Sequence, residues 1–218
     1  DWIYAHRLAV VATDSMAMFG LLSSSINDLW ARKNSSSLET RLNYAPSDAF
    51  ETLPLPTELP HGLESTANRY AGARNTVCRE TQAGLTQVYN RLHSQTDRDP
   101  RIEELRELRR EMDVAVARTY GWDDLDLEHG FHEMPYLPEN DRVRFTISER
   151  ARLEVLRRLS ELNRQRYEEE VGRGLHGSRT TDTVTRRPRT LRTETTSVRQ
   201  SSFGFDIAPA NEGRYLEA

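Results

Sequence analysis

Apolar side chains recur along most of this chain at the three-to-four-residue spacing of a helix that buries one face. From Asp14, a residue suited to capping, that spacing predicts a helix to about Arg32, with Met18, Leu21, Leu22, Ile26, Leu29 and Trp30 on one side. A second stretch runs from about His61 to His93, with Tyr70, Val77, Leu85, Val88, Tyr89 and Leu92 on its apolar side. Gly84 inside it costs about 1 kcal/mol of helix propensity and favours two helices over one. Asp99-Pro100 is a start signal, with Asp at the cap and Pro at the first helical position. The helix it opens carries Ile102, Leu105, Leu108, Met112, Ala115, Val116 and Tyr120, and Gly121 suits its left-handed stop. A last helix opens at Ser148, or at Thr146 with Glu149 as a capping box, and has the stripe Leu153, Leu156, Leu159, Leu162, Tyr167 and Val171.

Strand-like pattern is scarcer. Residues 2–12 cluster β-branched and aromatic side chains and predict a strand. Ser35 to Tyr44 reads as a strand or extended loop. Pro46, Pro54, Pro56 and Pro60 forbid a long helix, so Phe50 to Pro60 is an extended connector. Val143, Phe145 and Ile147 alternate as in a short strand. After Gly174 apolar periodicity stops, and residues 177–202 lack the apolar content to offset ordering entropy. The expected fold is therefore α+β and predominantly helical. It has a small, incomplete β-containing N-terminal portion (1–60), a bundle-like helical middle (61–175) and a disordered Arg/Ser/Thr-rich tail (176–218).

Charge and composition narrow the function classes. The 218 residues carry a formal net charge of −4, so the whole chain is no polycation. The first two stretches are net acidic and the tail net basic. Of the basic residues only Lys33 is lysine, which points to genomic composition rather than to arginine chosen for its fork. A single cysteine, Cys78, excludes an internal disulfide framework and a cysteine-built zinc site. No apolar run is long enough to cross a membrane, nothing resembles a signal peptide, and the start at Asp1 reads as that of a cytoplasmic fragment.

Catalytic signatures are scarce. There is no Gly-x-Gly-x-x-Gly, Walker loop or Gly-x-Ser-x-Gly elbow. His129 and His132 would suit a metal on a helix, and a free-standing enzyme would have to use them. Gly130 and Pro135 oppose a helix there, however, and no third ligand follows from the spacing, so they read as loop histidines. The run Asp123, Asp124, Asp126, Glu128 lacks the glycine of a calcium loop and reads as a solvated turn. Cys78 has no local His partner and reads as a neutral helix cysteine. Groups that bond phosphates or base edges concentrate between Trp30 and Tyr44: Arg32, Lys33, Arg41, Asn43 and Tyr44 are the candidate DNA contacts. The arginines of the tail (Arg179, Arg186, Arg187, Arg189, Arg192, Arg199) would bind phosphate without sequence preference.

A resemblance goes further. The stretch 21–56 holds Trp30, Ser37, Tyr44, Pro46-Ser47-Asp48, Phe50-Glu51-Thr52 and Pro54-Leu55-Pro56 in order. These resemble the end of the target-recognition region of large single-chain restriction-modification proteins, with Trp30 as an aromatic tip. GLTQVYN (84–90) and the runs 102–131 and 144–170 resemble the C-terminal helical part of the same proteins, the type IIG/IIL, MmeI-like and related defence-system methyltransferases. The resemblance covers roughly residues 2–175. It implies a parent enzyme that transfers a methyl group from S-adenosylmethionine to adenine N6 in double-stranded DNA, with the target base swung out of the stack. This chain lacks the cofactor loop and the Pro-Pro-aromatic catalytic element. The resemblance therefore puts cofactor and catalysis in an upstream methyltransferase domain and leaves DNA recognition here. Tyr44 to Asp48 and Phe50 read instead as a structural exit turn, the role favoured for them over DNA contact. From another class, the Arg- and Glu-rich helices at 100–120 and 148–171 equally fit a protein-docking module that touches no DNA.

Overall fold

The computed structural model describes residues 9–35 and 44–175, together with the backbone of 37–38 and 41–42. Two compact units divide after Leu159. The first opens with α1 (Met16–Ser23) and α2 (Ser25–Asn34). These replace the single helix expected from Asp14. Ser15 is the cap, its Oγ accepting the Met18 N–H at 3.2 Å. The break falls at Ser24, whose backbone is extended. Its Oγ donates to the Leu21 carbonyl at 2.6 Å and accepts the Asn27 N–H at 3.2 Å. One serine hydroxyl thus closes α1 and opens α2, the competition with the helix ladder that makes serine a cap residue. The expected strand at 2–12 is not seen in its described part, since residues 9–12 are irregular; residues 2–8 lie outside the described residues.

Strands β1 (Ser37–Leu38) and β2 (Arg41–Leu42) pair antiparallel, in keeping with the extended reading of this segment. Pro46 at its first turn then opens a one-turn helix, α3 (Pro46–Ala49). The helical stretch after Pro60 divides as Gly84 predicts, into α4 (His61–Thr81) and α5 (Leu85–Leu92). Helix α6 (Pro100–Thr119) starts on the Asp99 cap, whose Oδ1 accepts the Arg101 N–H at 3.0 Å, and Gly121 follows it at φ +75°. Helix α6 packs against α1, α2, α4 and α5. The core they share is built from Leu21, Ile26, Trp30, Leu63, Tyr70, Leu92, Ile102, Leu105 and Met112, all fully buried. Helices on both sides of residue 60 therefore share one core, and the compositional boundary there is no break in packing. Gly20 allows the close α1–α4 approach: a Cβ there would lie 2.9 Å from Ala67 Cβ.

The histidine segment differs from the expected loop. Gly130–Glu133 is strand β3, antiparallel to β4 (Val143–Thr146) with Phe131 opposite Phe145 and His132 opposite Arg144. Four residues are too few for alternation to stand out in the sequence, and the partner strand supplies the ordering. Helix α7 (Glu149–Gly172) opens at Ser148, whose Oγ accepts the Ala151 N–H at 3.1 Å. Of the expected stripe Leu159 is fully buried and Leu156 packs partly buried against the core, while Leu153 is 61% exposed and Val171 49%. The fully buried row is Ala151, Val155 and Leu159 at i, i+4 spacing, two of whose members the leucine pattern does not include. From Ser160 on, the second unit's described helix carries its own ion pairs, Arg164 with Glu161 and Glu168 at 2.6 Å each. The tail, 176–218, lies outside the described residues. No helix among the described residues is long and apolar enough to cross a membrane.

Arg106, on α6, is 3% exposed. Its guanidinium donates to the carbonyls of Leu92 (2.9 Å), Asp97 (3.0 Å), Arg91 (3.1 Å) and Ser94 (2.7 Å) and lies 5.1 Å from the Phe131 ring centroid. It closes the end of α5 and the turn into α6, where carbonyls have no helical partner. Replacing it by Met keeps the stem and removes every donor. Arg106→Met is expected to lower the unfolding free energy by about 2–4 kcal/mol in urea denaturation. A midpoint equal to that of the unaltered protein would show that the clamp does not hold the turn.

Candidate anion-binding site

The five candidate contacts do not all fall within view. Arg41 has only its backbone described, in β2, and Asn43 lies outside the described residues. Arg32 and Lys33 occupy the last turn of α2, and Tyr44 leads into α3. The Lys33 ammonium sits 4.9 Å from the Trp30 ring centroid, and burial lowers its pKa to about 8. Arg32 donates to Asp28 Oδ2 at 2.8 Å, and its guanidinium lies 5.4 Å from the Tyr136 ring centroid. Trp30 is no exposed tip: it is 1% exposed, and its Nε1 donates to Thr52 Oγ1 at 3.1 Å. Thr52 in turn donates to the Asp48 carbonyl, which ties the Pro46–Thr52 turn to α2.

Arg32 and Tyr44 line a cavity of about 450 Å³. Its other walls come from distant parts of the chain: Ser23 and Asn27, Tyr89 and His93 at the end of α5, Arg109 on α6, and Tyr136, Arg144 and Phe145 of the β3–β4 hairpin. Three guanidinium groups (Arg32, Arg109, Arg144) face it against the single carboxylate of Asp28. Asp141 pairs with Arg144 from outside the lining. Burial and the nearby Arg32 charge together push the Arg144 guanidinium below its ordinary pKa, the mark of like charges crowded at one wall.

Sequence reasoning missed Tyr89, His93, Arg109, Tyr136 and Arg144. Nothing local marks them, because the cavity exists only once α6 and the hairpin are in place. A buried carboxylate secures that arrangement. Asp113, on α6, is fully buried. Its Oδ1 accepts the Ser25 N–H at the start of α2 (2.8 Å), and its Oδ2 lies 2.9 Å from His129 Nε2 just before β3. Burial pushes its carboxyl up, but the His129 and Ser25 hydrogen bonds and the Arg109 charge outweigh that and hold it below the usual carboxylate range. Arg109 Nη atoms reach Ser23 O at 3.4 Å, Tyr70 Oη at 3.5 Å and Ser25 Oγ at 3.3 Å.

Three polar atoms of the lining residues are buried without a hydrogen-bond partner among the described residues: Asn27 Oδ1, His93 Nδ1 and Arg109 Nε. The Asn27 amide is oriented by its Nδ2, which donates to the Leu22 carbonyl at 2.8 Å, so its oxygen is the unused acceptor. The other candidate groups are engaged elsewhere. His129 pairs with Asp113, and His132 Nε2 lies 2.8 Å from the Glu128 carbonyl. Asp124 pairs with Arg158, and Glu128 with Arg150 and Ser148. Among the described residues no three metal-ligating side chains converge. The cavity's chemistry suits an anion: guanidinium forks match phosphate or carboxylate oxygens, and aromatic faces accept planar groups.

His93 gives this wall a measurable signature. Burial, then the charges of Arg109, Arg144 and Arg106, lower its pKa to about 3, against an opposing hydrogen bond to the Phe145 backbone. As pH falls through about 6.5 the unfolded chain gains a proton on His93 that the folded chain refuses until about pH 3, so stability is lost across that window. His93→Gln is expected to flatten the fall of the urea midpoint between about pH 6.5 and 4.5. An equally steep fall in the variant would assign the acid sensitivity to other groups.

Comparison of the chain with protein-family models, with curated proteins and with solved structures returns no match.

Proposed function

We propose that this chain is the DNA-gripping C-terminal part of a site-specific, adenine-specific DNA methyltransferase of a restriction-modification or phage-defence system, working in the cytoplasm. The observation that carries the reading is local. The segment that resembles a target-recognition region contributes Arg32 and Tyr44 to a cavity whose lining holds three guanidinium groups against one carboxylate. Guanidinium forks gathered at one wall are the groups that bond phosphate oxygens, and each is held there by a carboxylate: Arg32 by Asp28, Arg144 by Asp141 and Arg109 by the charge of Asp113.

In this reading Arg32, Lys33 and Arg41 hold backbone phosphates. Asn43 and Tyr44 stand beside them in sequence to reach sugar or base edges. The α2 cap at Ser24 and the Asp113 hydrogen bond to Ser25 fix the helix that presents Arg32 and Lys33. S-adenosylmethionine belongs to the upstream domain of the same protein, where it supplies the methyl group. This chain's work is to grip double-stranded DNA so that a target adenine reaches that domain once unstacked.

A mobility-shift titration of the chain on duplex DNA tests the grip. Binding is expected, and log K should fall linearly with log salt. The double variant Arg32→Gln/Lys33→Gln should weaken binding and reduce the salt slope by about 1–2, one phosphate contact being worth about 0.9. Because Lys33 loses its proton near pH 8, affinity should also drop between about pH 7 and 9, and Lys33→Arg should remove that drop. No shift at any salt would instead favour the protein-docking module.

A further inference from the structure

The cavity has more specific chemistry than a phosphate grip needs. The guanidinium groups line a recess of about 450 Å³, within the range of about 300–1,000 Å³ that encloses small ligands. A bare phosphate fills only a fraction of that volume. Tyr44, Tyr89, Tyr136 and Phe145 supply aromatic surface on the same walls as Arg32 and Arg144. Arg32 stacks on one face of Tyr136 at 5.4 Å, and a second guanidinium, Arg152, lies 5.6 Å from the same ring. Tyr136 is thereby held in place although it is 41% exposed.

Charge and aromatic surface on the same walls define the ligand class. A nucleoside phosphate has an anionic group for the guanidinium forks and a planar base for the tyrosines. Peptide carboxylates offer the charge without the plane.

We propose that this cavity binds one phosphorylated nucleoside, the phosphate between Arg32 and Arg144 and the base against the Tyr44 ring. The nucleotide comes either free from solution or as a residue of a single strand; both present the same chemistry. The inference shares Arg32 and Tyr44 with the proposed duplex grip and adds Arg144, which that grip does not use.

Isothermal titration of the full chain tests it with four probes: deoxyadenosine 5′-monophosphate, deoxyadenosine, inorganic phosphate and a short oligodeoxyadenylate. Saturable binding of the monophosphate is expected, with deoxyadenosine and phosphate each at least about tenfold weaker, a difference of about 1.4 kcal/mol. Arg144→Gln and Tyr44→Leu should each weaken it about tenfold, with unchanged circular dichroism and urea midpoints as the check on folding. Binding of the oligonucleotide alone, lost in the same variants, supports the site and names the strand as the source. Three results overturn the proposal: no binding by either nucleotide probe at several millimolar, phosphate binding as tightly as the monophosphate, or affinity unchanged in both folded variants. Duplex mobility shifts are read separately, so a failed grip and an empty recess give different results.

Discussion

A fully buried carboxylate is the constraint around which the first unit is arranged. Taking an ionised group out of water costs several kcal/mol even after relaxation, and only well-aimed partners offset it. Asp113 finds them in two separate places: the first amide of α2 and the histidine that precedes β3. Neither partner is near it in sequence. To satisfy Asp113 the chain must bring the start of α2 and the start of the hairpin to the same turn of α6, and the cavity is the space left between them. A hydrophobic residue in its place would fill the volume without dictating which strand or helix must arrive.

Arg106 works about two turns away on α6 by the opposite logic. Asp113 accepts, whereas Arg106 only donates, and it bonds four backbone carbonyls as well as the Glu103 carboxylate, 2.9 Å from its Nη1. The α5–α6 connection is thus ordered by one side chain, and His93 is carried by that connection into the cavity wall. Two charged residues on one helix therefore set both ends of the recess: Arg106 the α5 end, Asp113 the α2 and hairpin end.

These two residues also mark the limit of what the sequence discloses. Helix boundaries with dedicated chemistry were legible: Asp99-Pro100, Gly84, Gly121 and Ser148 each act through their own side chain or backbone freedom. Ser24 was not, since a serine within a helical apolar pattern looks the same whether it breaks the helix or not. On α6 Arg106 follows Ile102 by four residues and Asp113 follows it by eleven, so both lie at the edge of the apolar stripe, and only their long-range partners reveal them as core. On α7 the leucines outweighed alanine in the pattern, yet Ala151, small enough for close approach, is the residue buried beside Val155 and Leu159. Of the site, Arg32 and Tyr44 were legible because polar and aromatic groups cluster in their own segment. Tyr89, His93, Arg109, Tyr136 and Arg144 are ordinary members of three other elements in a chain already crowded with arginine.

Arg109 is where pin and recess meet. Asp113 has its hydrogen bonds filled by Ser25 and His129, so it draws on the Arg109 charge without taking its donors. Those donors are left with contacts of 3.3–3.5 Å to Ser23, Ser25 and Tyr70, at the weak end of hydrogen-bond length, and with Nε unmatched. A guanidinium needed only to balance a buried carboxylate would be expected to fork onto it. Here the fork is turned aside while the charge stays close. That division of labour leaves a cation whose charge is secured by the fold at the cavity wall and whose fork is spent on the start of α2 and on α4 rather than on the carboxylate.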